Sequence, residues 1–96
     1  MPTFAVTYNY SGSSSQQRDE TRPAHIEFLQ AQFDGGQLLK SGPFGPEESP
    51  GALLIIAGQS KADVETLMNQ DPFHQAGLIQ ERTIRQWNIF FGAGQN

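Results

Sequence analysis

Ala52-Leu53-Leu54-Ile55-Ile56-Ala57 is an unbroken apolar run, and its reading decides the fold. It reads as a β-strand. A strand in a sheet covered by helices on one side alternates apolar and polar residues, and this one does not. Both of its faces are therefore expected to be covered. Helices account for one face; the simplest cover for the other is a second copy of the same sheet, related by a two-fold axis.

Working toward the C-terminus, Ser60 followed by Asp63 resembles a capping box and opens a helix with Val64, Leu67 and Met68 as its apolar stripe. Residues Asp71–Gly77 break the chain. Arg82–Phe91 then reads as a last strand carrying Ile84, Trp87, Ile89, Phe90 and Phe91, and Gly92–Asn96 as a frayed tail. Toward the N-terminus lies a loop of turn formers, with Gly42, Pro43, Gly45, Pro46, Pro50 and Gly51. Before it, Gln37–Ser41 is a short strand. Thr21–Gly36 reads as a helix with Pro23 in its first turn, where the missing N–H costs nothing. Ile26, Leu29 and Phe33 repeat at helical spacing there, and Gly35-Gly36 stops the run. The segment Ser11–Gln17 is small and polar, a loop. In Met1–Tyr10, Phe4, Val6 and Tyr8 share one face of a first strand, with Ala5, Thr7 and Asn9 on the other. No repeat or linker divides the chain, so residues 1–96 read as one domain. The order strand, helix, strand, strand, helix, strand predicts an α+β fold. It is the ferredoxin-like βαββαβ arrangement, a four-stranded antiparallel sheet with both helices on one face.

The bulk numbers fit such a domain and exclude several functions. A chain of 96 residues has room for one modest core, and oligomerisation would add burial. Its hydrophobic fraction of 36% against 17% charged residues suits a folded chain. The net charge is −4, and the six basic residues Arg18, Arg22, Lys40, Lys61, Arg82 and Arg85 are scattered along the chain. Nucleic-acid binding needs clustered cations, so that class of partner is not expected. There are no cysteines, which excludes disulfides and thiolate chemistry and fits a reducing compartment. No stretch approaches the ~20 apolar residues of a membrane helix, and the N-terminus lacks the pattern of a signal peptide. The expectation is a cytoplasmic protein with no membrane partner.

Four short motifs stand out together. Arg22-Pro23-Ala24-His25 opens the first expected helix. Gly36-Gln37-Leu38-Leu39-Lys40-Ser41-Gly42-Pro43 runs through the second strand, Asp71-Pro72-Phe73-His74-Gln75-Ala76-Gly77-Leu78 follows the second helix, and Arg85-Gln86-Trp87 lies in the last strand. In this order and at these separations the chain resembles the YciI-like, or YCII-related, family over nearly its whole length. It departs from the family pattern at Gln86, where relatives often carry Pro, and in a shorter loop between the second and third strands. The resemblance implies a dimeric α+β barrel with a pocket built around a His and an Asp, which map by motif to His25 and Asp71. It also implies proton-transfer or elimination chemistry on small organic substrates.

The residues themselves support that chemistry while leaving plainer roles open. In a first helical turn, His25 would meet the positive end of the helix dipole, which disfavours imidazolium and leaves a lone pair for general-base work. Asp71 could fix its tautomer, or simply cap the turn after the second helix, since a residue before Pro is rarely helical. Arg22, at i and i+3 from His25, could grip a substrate carboxylate or pair with Glu20 or another acid. Ser41, Gly42 and Pro43 could line a ligand site or merely bend a strand end, and Phe73 is counted with them as substrate-binding. His74 invites a metal triad with His25 and Asp71, but its place in an Asp-Pro turn speaks against one. Trp87 and the neighbouring Phe residues read as core or dimer interface, and Glu47 with Glu48 as a solvated loop tip. No phosphate loop, nucleophile elbow or dinucleotide fingerprint is present, so no cofactor is expected. The function read from the sequence is a cofactor-free lyase or isomerase with His25 and Asp71 as catalytic pair. The alternative is a non-catalytic dimeric module that binds a small molecule or serves as an accessory domain.

Overall fold

Alternation in β1 (Thr3–Tyr10) sets the architecture: Phe4, Val6 and Tyr8 are buried, and the residues between them face the other way. The computed structural model describes residues 1–92, and the tail expected at Gly92–Asn96 lies almost wholly outside them. The elements that follow are α1 (Ser15–Asp34), β2 (Leu38–Pro43), β3 (Gly51–Ala57), α2 (Lys61–Met68), the single-turn α3 (Pro72–Gln75) and β4 (Ile79–Gln86). The strands form one antiparallel sheet in the order β2-β3-β1-β4. This is the expected α+β arrangement with α3 added.

Register decides which residues meet the helices. Phe4 lies opposite Ile56, Val6 opposite Leu54 and Tyr8 opposite Ala52, so these share the inner face. Val64 and Met68 of α2 close over them, with Leu67 at the margin. Ser60 caps α2 as the sequence suggested, accepting a hydrogen bond from the Asp63 N–H at 3.1 Å. Gly51 is needed where β3 meets β1, because a Cβ there would strike the Tyr8 carbonyl oxygen.

Three expectations about elements are corrected. Helix α1 starts at Ser15, so Pro23 is interior and His25 lies midway along the helix. Ser14 makes this start: its hydroxyl donates to the Ser11 carbonyl at 2.8 Å, and its own carbonyl accepts the first helical bond from the Arg18 N–H at 2.9 Å. The stripe that α1 buries also differs. His25 is buried and Phe28 and Leu29 pack on the core, whereas Ile26 and Phe33 are more than half exposed. Strand β4 begins before Arg82 and ends at Gln86. It is an edge strand, where charged residues suit the solvated side. The aromatic stretch that looked like strand leaves the sheet after the Trp87 N–H donates to the Thr3 carbonyl, and Phe90 and Phe91 project outward.

The outer face of the sheet carries Leu53 and Ile55 from β3, Ala5 and Thr7 from β1, and Trp87 beyond β4, around a hollow of about 350 Å³. Leu53 is 37% and Trp87 46% exposed there. No helix of the described residues is long and apolar enough to cross a membrane.

Candidate active site

Asp71 is fully buried and accepts three hydrogen bonds. Its backbone is extended, as a residue before Pro requires, and Pro72 sets the first turn of α3. In that position Oδ1 accepts from the Phe73 N–H at 2.9 Å, so the plain capping role is real. The same oxygen lies 2.8 Å from Nδ1 of His25, and Oδ2 accepts from the Tyr8 hydroxyl at 2.8 Å. An ionised carboxylate can only accept, so His25 presents Nδ1–H to it and keeps its lone pair on Nε2. That tautomer is the one a general base needs.

The ring plane of His25 is fixed as well. Phe73 stacks against it with centroids 3.9 Å apart and planes within 1° of parallel. Capping by Asp71 therefore sets both the carboxylate and the aromatic plate behind the imidazole. With His25 in mid-helix, the dipole argument for its first turn falls away, since that field is confined to the terminal turns. Its orientation comes from Asp71 and Phe73 instead. Burial, reinforced by the Asp71 charge and hydrogen bond, pushes the Tyr8 phenol far above its ordinary value, so it stays a donor.

His25 opens on a cavity of about 300 Å³. Arg22, His25, Ile26 and Leu29 supply one wall from a single face of α1, at i, i+3, i+4 and i+7. Ser41, Gly42 and Pro43 form the rim from β2, Ala52 and Leu54 the floor from β3, and Tyr10 the end wall from β1. Arg22 stands at this wall about half exposed, paired with Asp19 as one of the acids open to it. Phe73 is placed behind His25 and is buried, outside the cavity lining. The rim of β2 is shared: on its outer side Gly42 and Pro43 border a second hollow with Phe44, Leu53, Ile55 and Trp87. A larger hollow of about 560 Å³ continues along α1 past Ile26 and Leu29 toward Phe33 but holds no histidine or carboxylate. Among the described residues no three His, Asp or Glu side chains gather as a metal would require.

Two residues at the site were not singled out in the sequence. In the sequence Tyr8 reads as a core position of β1, and Tyr10 carries no signal of its own. The hydroxyl-bearing rings at alternate positions of one strand, facing the same side, were the available signal.

The YCII-related domain model matches residues 2–88. The chain belongs to that family. No curated protein matches the chain in sequence. Among solved structures, it is similar to 5-chloro-2-hydroxyhydroquinone dehydrochlorinase (TftG) from Burkholderia phenoliruptrix, a complex with 2,5-dihydroxybenzoquinone. The TM-score is 0.79 at 23% identity, over 92% of this chain and 95% of that one. The cofactor-independent oxygenase SnoaB from Streptomyces nogalater matches at TM-score 0.56 and 12% identity, over 94% and 95%. Protein Atu4242 from Agrobacterium tumefaciens matches at 0.61 and 15%, over 96% of each chain. At these identities the likeness concerns the fold, a sheet with helices on one face.

Proposed function

We propose that this YCII-related chain is a cofactor-free enzyme that moves a proton on a small organic substrate, in a reaction of the lyase or isomerase type. The observation that carries the reading is the buried Tyr8–Asp71–His25 network whose imidazole opens on the cavity. His25 is the general base. Asp71 holds its tautomer and faces the imidazolium once the proton has been taken. Arg22, Ser41, Gly42 and Pro43 bind the substrate, with Phe73 acting on it only through the His25 ring. The cavity suits a molecule of about one ring. The dehydrochlorinase with a quinone bound, whose name denotes elimination from a single ring, supports substrates of that size.

The working form we propose is a cytoplasmic homodimer that covers Leu53, Ile55 and Trp87. Apolar side chains on both sides of β3 support it.

The test is a screen of single-ring phenols, quinones and lactones for isomerisation or release of a leaving group, repeated with His25→Ala. General-base catalysis contributes roughly 10²–10⁴-fold, so the variant should lose that much turnover while sedimenting like the parent. A variant with undiminished rate ends the assignment. Tight binding with no turnover by the parent would instead favour the accessory-module reading.

A further inference from the structure

Proton removal from carbon leaves negative charge on the substrate, and a base alone does nothing for it. The cavity holds a second ring suited to that charge. Tyr10 lines it opposite β2, and its ring is fixed on three sides. It meets Phe73 edge-on at 5.7 Å, lies 6.2 Å from Tyr8, and has the Arg18 guanidinium over its face at 4.6 Å. Arg18 is itself held by Nε donating to the Ser14 hydroxyl at 3.0 Å. Phe73, which meets Tyr10 edge-on, is also the plate on which His25 stacks. One aromatic ring thus sets the spacing of both. The Tyr8 hydroxyl is committed to Asp71; among the described residues, that of Tyr10 makes no such bond.

We propose that Tyr10 is a catalytic residue whose hydroxyl donates to the oxygen that becomes negative as His25 removes a neighbouring proton, which assigns small carbonyl compounds, or their phenolic tautomers, as the substrate class. This rests on His25 as the base. Nε2 takes a hydrogen from the carbon next to a carbonyl. The C–H pair becomes the C=C bond of an enolate, and the carbonyl π pair moves to oxygen, where the Tyr10 O–H receives it. His25 is then doubly protonated against Asp71. The proton returns to another carbon in an isomerisation. In an elimination, the oxygen pair re-forms the carbonyl, and the enolate C=C pair becomes a new C=C bond between the deprotonated carbon and the next one along. The leaving group departs from that next carbon with its bonding pair. Burial, then the Asp71 charge, pushes the Tyr10 phenol up to about 12 against the opposing pull of Arg18 and Arg22, so it remains a donor across the physiological range.

The experiment uses 4-nitrophenol, a single-ring probe whose ionised form is yellow, at a pH where the free probe is mostly protonated. The parent should bind it as the phenolate, with the proton kept on the protein. Tyr10→Phe keeps the ring and its packing, and should weaken binding roughly 10- to 100-fold, the loss of one hydrogen bond to a charged group. The neutral ether 4-nitroanisole should bind parent and variant alike. Equal phenolate affinity in Tyr10→Phe overturns the proposal. So does a parent that binds the probe only in its protonated form, or not at all; these need no variant to fold. Release of the proton to buffer by the parent, with the Tyr10 sensitivity intact, would remove His25 as base and leave Tyr10 as the oxyanion donor.

Discussion

At the scale of single residues, Asp71 is a carboxylate removed from water whose lone pairs are met by donors from α1, β1 and α3. Tyr8→Phe deletes one donor and leaves Oδ2 without a partner, which should cost about 1–3 kcal/mol in a urea or guanidinium unfolding curve. Alkaline pH tests the same pair of phenols from another side. Free tyrosine ionises near about 10, whereas Tyr10 is raised to about 12 and Tyr8 further. Below ~10 both folded and unfolded chains hold neutral phenols, and this contribution is fully present. As pH rises toward the folded value, the unfolded chain releases protons first and stability is lost. Urea midpoints should fall as pH rises from about 10 to about 12, and tyrosinate absorbance should lag behind that of the free amino acid until unfolding. His25 and Asp71 stood out in the sequence through the family resemblance carried by Arg-Pro-Ala-His and Asp-Pro-Phe, while the residues alone left plainer roles open. Tyr8 was hidden because a ring in the alternating series Phe4, Val6, Tyr8 looks like ordinary packing, and its hydroxyl partner is 63 residues away.

Among the elements, α1 shows what periodicity leaves undecided. Its first turns are Ser, Gln, Arg, Asp and Glu, of which Gln, Arg and Glu form helix well, but they carry no apolar stripe to announce it. Pro23 then looked like a beginning, although it is an interior residue with no N–H to offer the preceding turn. Pro23→Ala should restore that bond and stabilise the chain by about 1–3 kcal/mol, less the entropy that Ala returns to the unfolded state. For a domain of this size each kcal/mol appears as a rise of about 4–8 °C in the melting temperature. A fall would mean that the site depends on the local break for its packing. The ends of β2 and β3 were legible to within two residues, because glycine and proline mark them chemically. The end of β4 was not, since edge position and solvent, rather than residue type, decided it.

For the whole molecule, the sheet order and the helix-covered face followed from the sequence of elements, while the uncovered face is where apolar β3 needs company. If a second sheet lies there, Leu53→Asp should split the dimer in sedimentation equilibrium while the monomer stays folded, because Leu53 is not part of the inner core. An unchanged sedimentation mass would place the contact elsewhere. The rim of β2 at Gly42 and Pro43 has a further consequence. It is a partition one strand thick, with the cavity on one flank and Trp87, the chain's sole tryptophan, bordering the other. A compound that presses on this partition from within should shift the surroundings of the indole, and the emission of Trp87 is then expected to report occupancy. Emission from that one ring can rank candidate compounds in a titration before any product has been identified.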